Sequence, residues 1–95
     1  MILRFQWDSL KSEQNMRKHG VAFDEGCTLF GDPQSRTIED AKHSLEEQRY
    51  VIIGMSNCGR ILVVVYTERE VYIRIISART ATHKEKRDYE ENIST

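Results

Sequence analysis

With 95 residues, 39% apolar and 31% charged, the chain can build one hydrophobic core and is too short for a second, so residues 1–95 read as a single domain without a separate regulatory module. No apolar run reaches the length of a membrane span, and Cys27 and Cys58 stand far apart with no second pair, which argues against a zinc knuckle or a disulfide framework. The net charge of −1 hides an uneven distribution: residues 21–59 carry seven acids against three bases, residues 60–87 seven bases against three acids.

At the start, Arg4, Gln6 and Asp8 interrupt MILRFQWD before a secretion signal could form, and a reduced cytoplasmic protein is expected. FQW at 5–7 reads as a short aromatic strand. Asp8 is suited to cap a helix running to about His19, with Gly20 at the position just past its end. Asp24 is a second candidate cap, and Phe23, Cys27 and Phe30 fall on one face of a short helix ended by Gly31-Asp32-Pro33. Gly26 weakens that helix, which must then depend on tertiary packing. Ser35 to Ile38 reads as a brief strand and the acidic DAKHSLEEQ as an exposed loop.

Three runs rich in Val, Ile and Tyr follow: YVIIGMS, RILVVVY and VYIRIIS. They are separated by Asn57-Cys58-Gly59 and by Thr67-Glu68-Arg69-Glu70, spacings that predict an antiparallel meander. Thr82-His83-Lys84-Glu85 matches a capping box opening a charged helix to about Glu91. The order predicts an α+β two-layer domain, an antiparallel sheet packed on one face by two N-terminal helices with a short C-terminal helix, the other face being left open.

Strict alternation in VYIRII sends Val71, Ile73 and Ile75 inward and Tyr72, Arg74 and Ile76 to the open face. RILVVVY does not alternate; if Ile61, Val63 and Val65 point inward, Arg60, Leu62, Val64 and Tyr66 share the face of Arg74. Arg79 falls between the last strand and the final helix, which offers Lys84 and Arg87. Guanidinium forks in such a cluster suit phosphate oxygens, while pairing with Glu68, Glu70 or Glu85 as a surface ion network explains them equally well. His19 is placed to cap a helix end and, if it faces the arginines, to transfer protons. His43 and His83 read as solvent-exposed, and Trp7 as core in preference to a base-stacking platform. Neither a Gly-rich phosphate loop nor a metal-ligand cluster is visible, and no cofactor is expected.

RKHGVAFDEGCTLFGDP, with FQWD before it and IGMS, GRILVVVYTER and IRIISAR after it, resembles the BrnT family of bacterial toxins from about Phe5 to Tyr89. The W-D ahead of the first helix, the K-H-G ending it, the F-x-D-P turn written FGDP and the R-I-I-S-A-R block carry the likeness in their order and spacing. The resemblance implies a RelE-like fold and a metal-independent endoribonuclease that inhibits translation, the toxin half of a type II toxin–antitoxin pair. It implies a BrnA-like antitoxin, contact with operator DNA only through that antitoxin, and suggests a heterotetramer of two toxins and two antitoxins. Carried over, it points to Arg60, Tyr66, Arg74 and Arg79, with Lys18 and His19 in support; Lys18, with Lys84 and Arg87 of the final helix, is expected to bind RNA. On this reading Arg74 and Arg79 hold the scissile phosphate, and His19 or Tyr66 takes the proton of the attacking 2′-hydroxyl. Gly26 departs from an alanine-rich second helix, and Thr80 replaces a basic residue often found after ISAR. A non-catalytic antitoxin-binding module, acting as corepressor of its operon, is the alternative that the near-neutral net charge raises.

Overall fold

Asp8 accepts the amide hydrogens of Leu10 at 2.9 Å and Lys11 at 3.3 Å, turning strand β1 (Arg4–Gln6) into helix α1 (Ser9–His19) where the sequence places the cap. The computed structural model describes residues 3–43 and 47–94; residues 44–46 of the expected acidic loop and the side chain of His43 lie outside the described residues. Gly20 ends α1 at φ 68°, its N–H donating to the Met16 carbonyl at 2.8 Å, a left-handed cap that glycine adopts without a side-chain clash. The chain continues through α2 (Phe23–Cys27), a 3₁₀ turn (Thr28–Gly31), β2 (Arg36–Glu39), β3 (Arg49–Met55), β4 (Ile61–Arg69), β5 (Tyr72–Thr80) and α3 (His83–Ser94). Among the described residues no helix is long and apolar enough to cross a membrane.

Helix α2 differs from its expected start. Ala22 occupies the cap position without a side-chain bond, and Asp24 and Glu25 sit in the first turn, where carboxylates meet the positive end of the helix. Packing holds this short helix. Phe23 is fully buried, and a Cβ on Gly26 would lie 3.1 Å from Val64 Cγ2 and 3.4 Å from Ala78 Cβ. Gly26 therefore permits the helix to approach the sheet closely, offsetting its poor helix propensity.

The five strands lie in the order β1-β5-β4-β3-β2. The meander β3-β4-β5 is antiparallel and β2 joins β3 antiparallel, as expected, but β1 pairs with β5 in parallel. The sheet is thus mixed, a correction to the antiparallel reading; the segment through α1 and α2 carries the chain away from β1, and the later strands return to it in zigzag.

Leu62, Val64, Tyr66, Ile52, Ile75 and Ala78 face α1 and α2 and form the core with Val21, Phe23 and Leu29. The expected phase of RILVVVY is therefore reversed: Ile61, Val63 and Val65 point to the other face. The run does not alternate in polarity because both faces are covered, with Ile61 through Val64 all buried. Helix α3 borders part of that second face, its Glu85, Asp88, Tyr89 and Asn92 lining a cavity of about 280 Å³ together with Val51, Ile53 and Val63. Tyr89 is buried, and its hydroxyl donates to Asp32 Oδ2 at 2.5 Å; the same carboxylate accepts the N–H groups of Met55 and Gln34. The open face of the sequence reading is hence only partly open. Val71, expected inward, sits in the β4–β5 turn beside Glu70 (φ 51°) and is 66% exposed. Strand β4 extends to Arg69, beyond the expected Tyr66, while β5 starts at Tyr72, one residue after the expected Val71, leaving a tight two-residue connection.

Candidate active site

Arg74 and Arg79 are five positions apart, so unbroken alternation would put them on opposite faces of β5. A bulge prevents this. Tyr66 pairs with Ile75 and Val65 with Ser77, leaving Ile76 as an extra residue in β5 and shifting the phase by one. Ile75 and then Ala78 face the core, while Arg74, Ser77 and Arg79 all emerge on the face opposite α1 and α2.

Arg79 lies across from Val63, within the strand and not beyond it. Its Nη1 and Nη2 donate to the two carboxylate oxygens of Glu85 at 2.8 and 3.0 Å, and Nη1 also reaches the Thr80 carbonyl at 3.2 Å. Glu85 belongs to the predicted capping box: it accepts from Thr82 N–H at 2.8 Å, and its own N–H donates to Thr82 Oγ1 at 3.2 Å. The start of α3 thereby fixes the orientation of a guanidinium whose side chain remains 40% exposed. The Arg79 fork and Thr82 N–H hold the Glu85 carboxyl at about 2, and the carboxylate raises the guanidinium pKa further.

Arg74 lies elsewhere on the same face. It pairs across the strands with Thr67, four residues along β4 from Val63, which at ~3.3 Å per residue separates the two arginine rows by roughly 13 Å. Its Nη1 donates to Gln6 Oε1 on β1 at 3.1 Å, whereas the Arg79 fork is directed to Glu85.

His19 and Lys18 end α1 beside the uncovered edge of β5. Because β1 pairs only with residues 72–74, the β5 backbone beyond them needs other partners. Asn15 supplies them: Ala78 N–H donates to Oδ1 at 3.1 Å, and Nδ2 donates to the carbonyls of Ala78 at 2.7 Å and Val21 at 2.9 Å. A shallow groove of about 290 Å³ follows, lined by Lys11, Gln14, Asn15, Lys18, His19, Ile76 and Ser77. Ser77 precedes Arg79 by one strand repeat on the same face, so β5 supplies both a wall of this groove and Arg79.

Arg60 is also tied to a carboxylate. Its Nε donates to Glu25 Oε2 at 2.9 Å, Nη2 to Glu25 Oε1 and, at 3.3 Å, to the Gly20 carbonyl, while Ser56 Oγ donates to Glu25 Oε2 at 2.7 Å. This joins the end of α1, the first turn of α2 and the β3–β4 connection. Arg60 lowers the Glu25 carboxyl pKa below its usual range.

Tyr66, read from sequence as sharing the face of Arg74, is on the opposite face and nearly buried, with its ring 5.0 Å from Phe30 and stacked at 5.4 Å on Tyr50. Burial pushes its phenol pKa up, against what a general base requires. Trp7 packs edge-on against Phe23 as a core residue. Lys84 and Arg87 are exposed on α3; Lys86, not singled out from sequence, lines a groove with Arg60 and Thr80. Asn15 was also missed, although an asparagine in mid-helix is a weak helix former whose side chain often serves a specific hydrogen bond. Among the described residues no group of three or more His, Cys, Asp or Glu side chains is gathered as a metal site.

The family described as "Ribonuclease toxin, BrnT, of type II toxin-antitoxin system" matches residues 7–85. No curated protein sequence matches the chain. Among solved structures, the Brucella abortus ribonuclease toxin BrnT superposes with a TM-score of 0.67 at 22% identity, over 86% of this chain and 100% of that one. That likeness concerns the fold, while the family match spans most of the chain. The protein thus belongs to the BrnT family of ribonuclease toxins of type II toxin–antitoxin systems.

Proposed function

We propose that this protein is a metal-independent endoribonuclease with a RelE-like active face, which halts translation in the cytoplasm until a BrnA-like antitoxin binds it. The observation that carries the reading is Arg79: a guanidinium oriented by Glu85 and partly exposed, on the strand whose edge borders a groove holding Lys18 and His19. Its Nε–H is not engaged by Glu85 and faces a phosphate oxygen in the complex we envisage. A preorganised cation aimed at developing phosphorane charge commonly supplies a few kcal/mol of transition-state stabilisation.

In the reaction, His19 takes the proton from a ribose 2′-hydroxyl, the 2′-oxygen bonds to the adjacent phosphorus, and the bond from phosphorus to the 5′-oxygen breaks. Lys18 or water gives that leaving oxygen its proton, producing a 2′,3′-cyclic phosphate and a 5′-hydroxyl end. Arg60 acts at a distance from the phosphate by anchoring the end of α1, and hence His19. The antitoxin brings the pair to operator DNA, in a complex of two toxins and two antitoxins.

A second reading keeps some support from one observation: Arg60 and Arg79 both already hold carboxylates. In that reading the protein is a binding module and corepressor without catalysis. Expression of the chain alone separates them. Growth arrest and fragmented RNA for the parent, both lost in a folded Arg79→Ala variant, support the enzyme; normal growth and intact RNA with folded parent protein support the module.

A further inference from the structure

The far end of the same sheet face carries a second cluster of arginines. Cross-strand pairing aligns Gln6, Arg74, Thr67 and Arg49 in one row, and Arg4, Tyr72 and Arg69 in the next. Partners directly opposite share a face, so four arginines from four strands converge around an exposed tyrosine. Tyr72 is 39% exposed there. The Thr67 hydroxyl, fully buried between the Arg74 and Arg49 positions, has no hydrogen-bond partner among the described residues.

Glu47 shows what this cluster attracts. Its two carboxylate oxygens accept from Arg69 Nε at 2.7 Å and Nη2 at 3.0 Å. The Arg69 hydrogen bonds and the charges of Arg69, Arg49 and Arg74 lower its pKa, so three guanidinium groups act on one anion. Both members of the ion pair are solvent-exposed, at 47% and 36%, and such pairs are easily exchanged for another anion.

We propose that Arg49, Arg69 and Arg74 form a phosphate-binding track for single-stranded RNA, with Tyr72 stacking a base, which positions the strand flanking the phosphate held at Arg79. The proposal rests on the ribonuclease reading and revises the part of Arg74 from a ligand of the scissile phosphate to a positioning residue. Arginines gathered from neighbouring strands around an exposed aromatic provide what single-stranded nucleic acid requires, charge for the backbone and a ring for the bases. The roughly 13 Å between the Arg74 and Arg79 rows leaves room for intervening backbone past Val65 and Ser77. RNA is favoured over an acidic protein segment because the cluster combines guanidinium forks and an exposed ring on one surface.

The test uses a short fluorescein-labelled 2′-O-methyl oligoribonucleotide, which has no hydroxyl to attack, and follows anisotropy against salt. Arg49→Ala/Arg69→Ala/Arg74→Ala should weaken binding about tenfold or more and flatten the slope of log K against log salt by about two, since each single-strand phosphate contact contributes about 0.7. Glu47→Gln, which leaves every arginine in place, should tighten binding several-fold. On unmodified RNA the triple variant should raise KM with little change in kcat. Unchanged affinity and slope in a folded triple variant, together with no effect of Glu47→Gln, would overturn the track. So would unchanged RNA binding accompanied by weakened binding of the antitoxin, which would make the cluster a protein dock. If the parent fails to cut RNA yet binds the probe through these arginines, the ribonuclease reading fails and the track stands.

Discussion

Asn15 satisfies three backbone groups at once, and each would be left buried without it. Leaving a buried polar group unpaired costs about 1–3 kcal/mol, so Asn15→Leu should destabilise the fold by about 3 kcal/mol or more. Asn15→Asp should be worse still, because a carboxylate would face the carbonyls of Val21 and Ala78. Urea unfolding of the two variants checks this, and a loss below about 1 kcal/mol for both would show that water or a strand shift replaces Asn15. Glu85 gives a pH-dependent counterpart. Its carboxyl titrates at about 2 in the fold against an ordinary 4.5, so its stabilisation is complete above the ordinary value and disappears as pH falls toward 2. Discounted for partial exposure, it amounts to about 1–2 kcal/mol. Glu85→Gln should therefore be less stable than the parent at neutral pH and equal to it near the acid end; a difference independent of pH would mean the cap, not the Arg79 pair, sets the cost. Asp8, Gly20 and the Thr82–Glu85 box were legible in the sequence because cap chemistry is local. Asn15 to Ala78 and Arg60 to Glu25 span 63 and 35 residues, and no short pattern announces them.

Among the elements, β5 was readable as a strand but not in its facing. Its bulge at Ile76 depends on the pairing with β4, and only that irregularity brings Arg79 to the face of Arg74. The consecutive valines of β4 left two phases open because α3 covers the second face, a tertiary fact. Helix α3 itself was found from its capping box, while its attachment was not: Tyr89 reaches Asp32, 57 residues away. Burial of Asp32 opposes its ionisation, but the Met55, Tyr89 and Gln34 donors outweigh that and keep the carboxyl below its ordinary range. Burial first, and the Asp32 bond second, push the Tyr89 phenol up to about 12. A bond to a charged acceptor contributes about 1.5–3 kcal/mol, and Tyr89→Phe should remove most of that while leaving the ring in place. Hydrogen exchange should then quicken in α3 well before it does in β4 and β5. Equal acceleration throughout would show that α3 opens only with the whole domain.

For the whole molecule, the family and the α+β class were legible because the marker residues, the caps and the meander are sequence-local. The parallel β1–β5 pair and the separation of the arginines were not, since both follow from how the sheet closes on its first strand. The result is a protein of net charge −1 that concentrates its cations on one sheet face and along one strand edge. Of the arginines proposed for chemistry, Arg79 is held by the start of α3 and lies on the strand that borders the groove of His19. The most direct measurement is the single-turnover cleavage rate of an unmodified oligoribonucleotide by the parent and by Arg79→Ala, each shown to be folded by its unfolding curve. Cleavage by the parent and a loss of about 100-fold or more in the variant are expected, the scale on which removing one preorganised donor acts. Equal rates for the two folded proteins would contradict the assignment of Arg79 and, with it, the site.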